Sequence, residues 1–178
     1  AKATGDPGVA KRAYQIAEYL NEQPASLNNA LLWAKVAPDD IDAQRAAAIQ
    51  LARSGRYDES MRYMERVLQG QGDTHFDFLA LSASESDPQT RAGLLQSFDR
   101  LLLKHPGNGQ LLFGKALLLQ QDNQPEAALQ VLEDEPASQQ DIMPLLLQAQ
   151  LLQSMGRSKE ALPLLEDGLE LHPQDKRL

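Results

Sequence analysis

Residues 54–60 and 155–161 hold near copies of one pattern, Ser54-Gly55-Arg56-Tyr57-Asp58-Glu59-Ser60 and Met155-Gly156-Arg157-Ser158-Lys159-Glu160-Ala161. In each, a glycine-centred turn follows one helical pattern and precedes another. Tyr57, Ser60, Met61, Met64, Val67 and Leu68 recur at helical spacing after the first turn, and Leu162, Leu164, Leu165 and Leu169 after the second. Gly55 and Gly156 lie 101 residues apart, three steps of about 34, which is the period of a helix–turn–helix repeat.

Composition supports the same reading. Of 178 residues 42% are hydrophobic, only nine are aromatic, and Leu, Ala and Gln outnumber β-branched residues, so an all-α protein is expected. The net charge is −8 and no Lys/Arg run exceeds two residues, which removes the electrostatic basis for binding nucleic acid or an anionic membrane. Without cysteine there is no disulfide, thiolate metal site or cysteine nucleophile, and the redox compartment stays open. No apolar run approaches the roughly 18 residues of a membrane helix; Leu111 to Leu119 is interrupted by Lys115. The chain starts at Ala1 without Met, shows no signal peptide and ends on an unfinished pattern, so a segment of a longer protein is expected.

Five frames follow, approximately 7–40, 41–74, 75–108, 109–141 and 142–175. Asp6, Asp39 or Asp40, Asp87 and Asp141 are placed to cap helices, with Pro7, Pro88 and Pro144 tolerable in first turns. Asn21 to Pro24 and Asp122 to Pro125 are turns, and Pro38, Pro106 and Pro173 close frames at one frame position. The third frame is the least regular, since Phe76 to Ala83 is short. The fourth has a return helix cut short before Pro136. The eighth frame position holds Ala48, Ser82, Ala116 and Ala149, small residues suited to close helix approach. Tyr14 stands there in the first frame, which suggests that this frame is one residue out of register.

In Leu51-Ala52-Arg53-Ser54-Gly55-Arg56-Tyr57-Asp58-Glu59-Ser60, the turn, the aromatic after it and the small residue opening the return helix resemble the tetratricopeptide repeat family, and the likeness extends over the whole chain. The family's large aromatic early in the first helix is replaced by Gln44, Phe78, Leu112 and Leu145. The resemblance implies an α-solenoid, antiparallel helix pairs in a right-handed superhelix, whose concave face is lined by first helices and binds peptides or proteins. Thr4-Gly5-Asp6-Pro7 with Val9-Ala10 and Arg12-Ala13 is also similar to repeat-rich lipoproteins of proteobacterial envelopes. That likeness implies a periplasm-facing adaptor for a carboxyl-terminal processing protease.

Catalytic sets are missing. The histidines are His75, His105 and His172; the latter two sit in His-Pro helix endings, where the helix dipole favours them, and lie two repeats apart. Asp39, Asp40 and Asp42 lack the glycine and distant glutamate of a calcium loop and read as helix caps. Glu133 to Glu135 read as a solvated helix end. No phosphate loop, HExxH or GxSxG occurs. The expectation is a protein without enzyme activity, cofactor or metal.

The family resemblance assigns the binding groove to Asp42, Arg45, Ile49 and Arg53 of the second frame and to Phe76, Leu79 and Ala83 of the third. From the fourth frame it takes Gln110, Phe113, Leu117, Gln120 and Gln121, and from the fifth Met143, Leu146, Gln150 and Gln153. Lys11 fits one place of a clamp that some family members use for a partner's C-terminal carboxylate, but Gln15, Ala46, Phe76 and Ala80 occupy the others. The expected partner is a protein or peptide, its apolar side chains held by Phe76, Phe113, Leu117 and Leu146 and its backbone by the glutamines. The other reading is a structural spacer or export-scaffold arm within a larger assembly or multidomain enzyme. Exposed apolar surface near Leu169 and Leu171, with end-to-end self-association, is also expected.

Overall fold

A computed structural model describes residues 5–134 and 142–175. Its described residues form ten helices: α1 (Pro7–Tyr19), α2 (Gln23–Val36), α3 (Ile41–Arg53), α4 (Tyr57–Gln69), α5 (Phe76–Ser82), α6 (Pro88–Lys104), α7 (Gly109–Gln121), α8 (Pro125–Glu133), α9 (Ile142–Ser154) and α10 (Ser158–Leu171). They group into two compact units, Ala1–Ala83 and Ser84–Leu178. The boundary between the units falls inside the third frame: α5 belongs to the first and α6 to the second.

Helix starts follow the expected caps. Asp6 accepts from the amides of Gly8 and Val9 at 2.7 and 3.2 Å, Asp40 from those of Asp42 and Ala43 at 3.0 and 3.3 Å, and Asp87 from that of Thr90 at 3.0 Å. Asp40, not Asp39, caps α3 because only its side chain stands at the N-cap. Asn108 adds a cap on α7, donated to by the Leu111 amide at 3.0 Å. The expected caps and breaks at Asp141 and Pro136 lie outside the described residues.

Four of the five helix pairs turn by one device. Asn21, Gly55, Asn123 and Gly156, each the fifteenth residue of its frame, have φ of 54°, 73°, 58° and 74°. The next amide reaches back to close the helix, Glu22 to Ala17, Arg56 to Leu51, Gln124 to Leu119 and Arg157 to Leu152, at 2.8–2.9 Å. Glycine and asparagine tolerate this left-handed geometry better than other residues, which is why they recur there.

In the first unit, α1 packs on α2, α2 on α3 and α3 on α4, while α5 lies against α3 and α4. Alanine dominates the contact: Ala10, Ala30, Ala34, Ala43, Ala46 and Ala47 form one buried cluster with Trp33. Gln44, where the family has an aromatic, is 3% exposed, and its amide nitrogen donates to the carbonyls of Ala34 and Pro38 at 3.3 and 2.9 Å. It ties a return helix to the next first helix by hydrogen bonds instead of ring packing. At the close approach of α3 and α4, the Ser60 hydroxyl donates to the Ala48 carbonyl at 2.8 Å.

Two register expectations change. The first frame is in register: Ala10 and Ala17 are buried where Gln44 and Leu51 are buried in the second, and Tyr14 fits by packing on Trp33 at 5.9 Å between ring centroids. The slip is in the third frame. Phe76, Leu79, Ala80 and Ala83 are buried there, one residue ahead of the phase of α3, whose Ala43, Ala46, Ala47 and Gln50 are buried. Ser82, expected at a close approach of paired helices, is half-buried and its carbonyl accepts from the Tyr57 hydroxyl at 2.8 Å. The loop before α5 sets the phase. A side chain at Gly72 would fall 2.6 Å from Ile41, and the Arg45 guanidinium donates to the Asp73 carbonyl at 3.0 Å, so the loop is pressed against the start of α3.

In the second unit α6 packs on α7, α7 on α8, α8 on α9 and α9 on α10, with α7 also meeting α9. Its core joins Ala116, Leu119, Leu129, Leu132, Leu147 and Leu151. An ion pair links α6 to the α7–α8 turn, Arg91 to Asp122 at 2.8 Å, and the Arg91 guanidinium also donates to the Ser86 carbonyl. Arg91, and next Gln124, hold the Asp122 carboxyl below its ordinary pKa. A depressed carboxylate contributes stability that is complete above about pH 4 and is lost as pH falls through the lower folded value. Asp122→Asn is expected to cost about 1 kcal/mol at pH 7, small because a fifth of the side chain remains exposed. The difference from wild type should shrink in acid below pH 4, as urea melts at several pH values will show.

Candidate functional site

Each unit presents a face built from successive first helices, and the sequence-assigned lining can be placed on these two faces. In the first unit Arg53 is the central residue. From the C-terminal end of α3 its guanidinium reaches Glu18 of α1 at 3.1 Å and lies over the Phe78 ring of α5, 5.8 Å from the centroid. Three first helices therefore meet one side chain. Arg53 and Glu18 keep 45% and 32% of their side-chain surface, so the contact is open to solvent. Arg45, about two turns earlier on α3, bonds Asp42 at 2.7 Å and is half-buried, as is Ile49 between Arg45 and Arg53.

Phe76 and Leu79 are removed from this lining. They are 1% and 0% exposed, turned into the core by the one-residue slip of α5. Their place is taken by Phe78, half-buried beside Arg53. The sequence contained the signal: Phe76, Leu79, Ala80 and Ala83 form a core stripe at helical spacing, and that stripe outranks a frame count. Lys11 lies 5.1 Å above the Trp33 ring centroid.

A notch of about 250 Å³ opens beside Arg53, walled by Gln23, Pro24 and Leu27 of α2 and floored by Gln50. Gln50 is 3% exposed, and among the described residues its amide nitrogen has no partner at full hydrogen-bond geometry. Tyr14 stands close by; burial pushes its phenol up, against a contact with Gln50 that pulls it down. The notch can admit an apolar side chain, with the Arg53 donors at its mouth.

In the second unit Phe113 and Leu117 are half-buried against the core cluster, and Gln120 beyond them on α7 is half-buried. Leu146 is half-buried on α9, while Gln150 and Gln153 are exposed. This face offers apolar area edged with amides. Elsewhere in the unit, Lys115 pairs with Asp99 at 2.7 Å beside a cavity of about 320 Å³ walled by Leu95, Leu119 and Val131.

The histidines stand at helix ends. His105 and His172 are C-caps of α6 and α10, their amides bonded to Leu101 and Gly168 at 2.8 Å, and His75 is the N-cap of α5. Among the described residues no group of three or more His, Asp or Glu is placed to hold a metal, and no helix is long and apolar enough to cross a membrane.

No family model matches the chain. Over 178 residues the chain is 68% identical to TPR repeat-containing protein PA4667 of Pseudomonas aeruginosa, and it spans about 30% of that relative's length. Its fold is similar to that of PilW, described as a widely conserved type IV pilus biogenesis factor, with a TM-score of 0.59 at 14% identity over 98% of this chain and 82% of that one. MamA from Desulfovibrio magneticus RS-1, from residue 41 to its end, aligns with a TM-score of 0.56 at 14% identity over 96% and 97% of the two chains. Repeat length, turn device, helix order and these likenesses agree: the chain is built of tetratricopeptide repeats.

Proposed function

We propose that the chain is a non-enzymatic scaffold that holds a protein or peptide segment on the first-helix faces of its two units. The observation that carries this reading is Arg53, a half-exposed guanidinium shared by Glu18, Phe78 and an open notch, where a partner's acceptor and an apolar side chain can both be received. Phe113, Leu117 and Leu146 offer apolar contact on the second unit, with Gln120, Gln150 and Gln153 available to a partner's backbone. The finer reading is an adaptor for a carboxyl-terminal processing protease in a bacterial envelope. The likeness of the opening Thr4-Gly5-Asp6-Pro7 to proteobacterial envelope lipoproteins is what points to it.

The test is capture from a bacterial extract with wild-type chain beside Arg53→Glu and Gln150→Arg variants. Both positions are exposed, so melting temperatures should match wild type. A partner recovered by wild type and reduced about tenfold or more by a variant, some 1.4 kcal/mol, supports the face. Equal recovery removes it, and recovery of nothing favours the spacer. Faster substrate cleavage by a purified carboxyl-terminal processing protease on adding the chain would support the adaptor role; an unchanged rate would count against it.

A further inference from the structure

The first helix carries an apolar stripe that no described element covers. Val9, Ala13, Ile16 and Leu20 follow one another at steps of four, three and four residues, and Val9, Ile16 and Leu20 are 41%, 54% and 61% exposed. Val9 and Ile16 occupy the third and tenth positions of their frame. In α3 these positions hold Ala43 and Gln50, 0% and 3% exposed; in α7 Leu111 and Leu118, both 0%; in α9 the buried Pro144 and Leu151, the latter 0%. Each of those helices has a return helix packed before it, α2, α6 and α8. Ala43 and Ala47 share a cluster with Ala30 and Trp33 of α2, and Leu147 and Leu151 share one with Leu129 and Leu132 of α8. The stripe on α1 is thus an unfilled seat for a return helix.

The chain also holds a return helix whose matching face is uncovered. Leu162 and Leu169 of α10 are 62% and 43% exposed. At the position of Leu162, α4 and α8 hold Met61 and Leu129, 5% and 3% exposed; at that of Leu169, α2 holds Ala34, 3% exposed. Charge is complementary as well. Exposed Arg12 flanks the α1 stripe, and exposed Glu166 lies between Leu162 and Leu169.

We propose that α10 of one copy seats on α1 of another, head to tail, continuing between molecules the packing that α8 makes on α9. One helix on one helix is a small interface, so dissociation constants of about 10–100 µM are expected. Because the two surfaces differ, the contact does not close on itself, and assembly proceeds beyond dimers.

Sedimentation velocity of the 178-residue chain across that concentration range tests this. Growth past dimer with concentration is expected. Ile16→Asp and Leu162→Asp should each abolish it with unchanged helicity and melting, since both side chains are solvent-facing. A mixture of the two variants retains one intact face of each kind and should give dimer and nothing larger. A monomer at all concentrations, as when these faces serve flanking repeats of a longer chain, overturns the proposal. So does oligomerisation that both variants leave intact, or a mixture that stays monomeric.

Discussion

Replacing Phe76 with alanine is expected to destabilise the first unit by about 3–5 kcal/mol, the range for removing a fully buried phenyl ring. Phe76 is 1% exposed on the one short helix of that unit, α5 being only seven residues long. So brief a helix has little stability of its own and is held by its packing on α3 and α4. Urea or thermal melts followed by circular dichroism will read the loss. A groove residue would behave in the opposite way, with an unchanged melt and weakened partner binding, and that outcome would return α5 to the phase of the simple 34-residue frame. Phe78→Ala is the companion variant. It removes the ring beneath Arg53 and should leave the melt within about 1 kcal/mol of wild type, as expected for a partly exposed contact.

Leu118→Ala is expected to cost about 2–5 kcal/mol, and Leu117→Ala a good deal less. The two are neighbours on α7. Leu118 is 0% exposed, whereas Leu117 is half-buried on the first-helix face. Equal losses in chemical denaturation would mean that Leu117 is core, and the proposed face of the second unit would then rest on Phe113, Leu146 and the glutamines. Unequal losses, with weaker partner capture by Leu117→Ala alone, would separate scaffold from site within a single dipeptide.

Much of the architecture was legible because it depends on local chemistry. Asp6, Asp40 and Asp87 cap the helices they precede, as side-chain acceptors beside free amides must. Gly55 and Gly156 take the left-handed turn, and Asn21 and Asn123 do the same work where the sequence showed only a break. The site was less legible. Arg53, Gln150 and Gln153 are exposed, but Phe76 and Leu79 lie in the core and Phe78 is half-buried beside Arg53. A face assignment counts residues from a frame origin, and an error of one residue rotates a helix by about 100°. The loop of residues 70–75, seated on Ile41 through Gly72, absorbs that residue without altering the period.

From the sequence alone come the helical class, the 34-residue period, the turns and the caps, all of them set by interactions within a few residues along the chain. The phase of α5, the convergence of Glu18, Arg53 and Phe78 on one face, and the division of the third frame between two units were decided by tertiary structure. Each depends on which surfaces fit when helices distant in sequence are packed, and a repeat length carries no information about that fit.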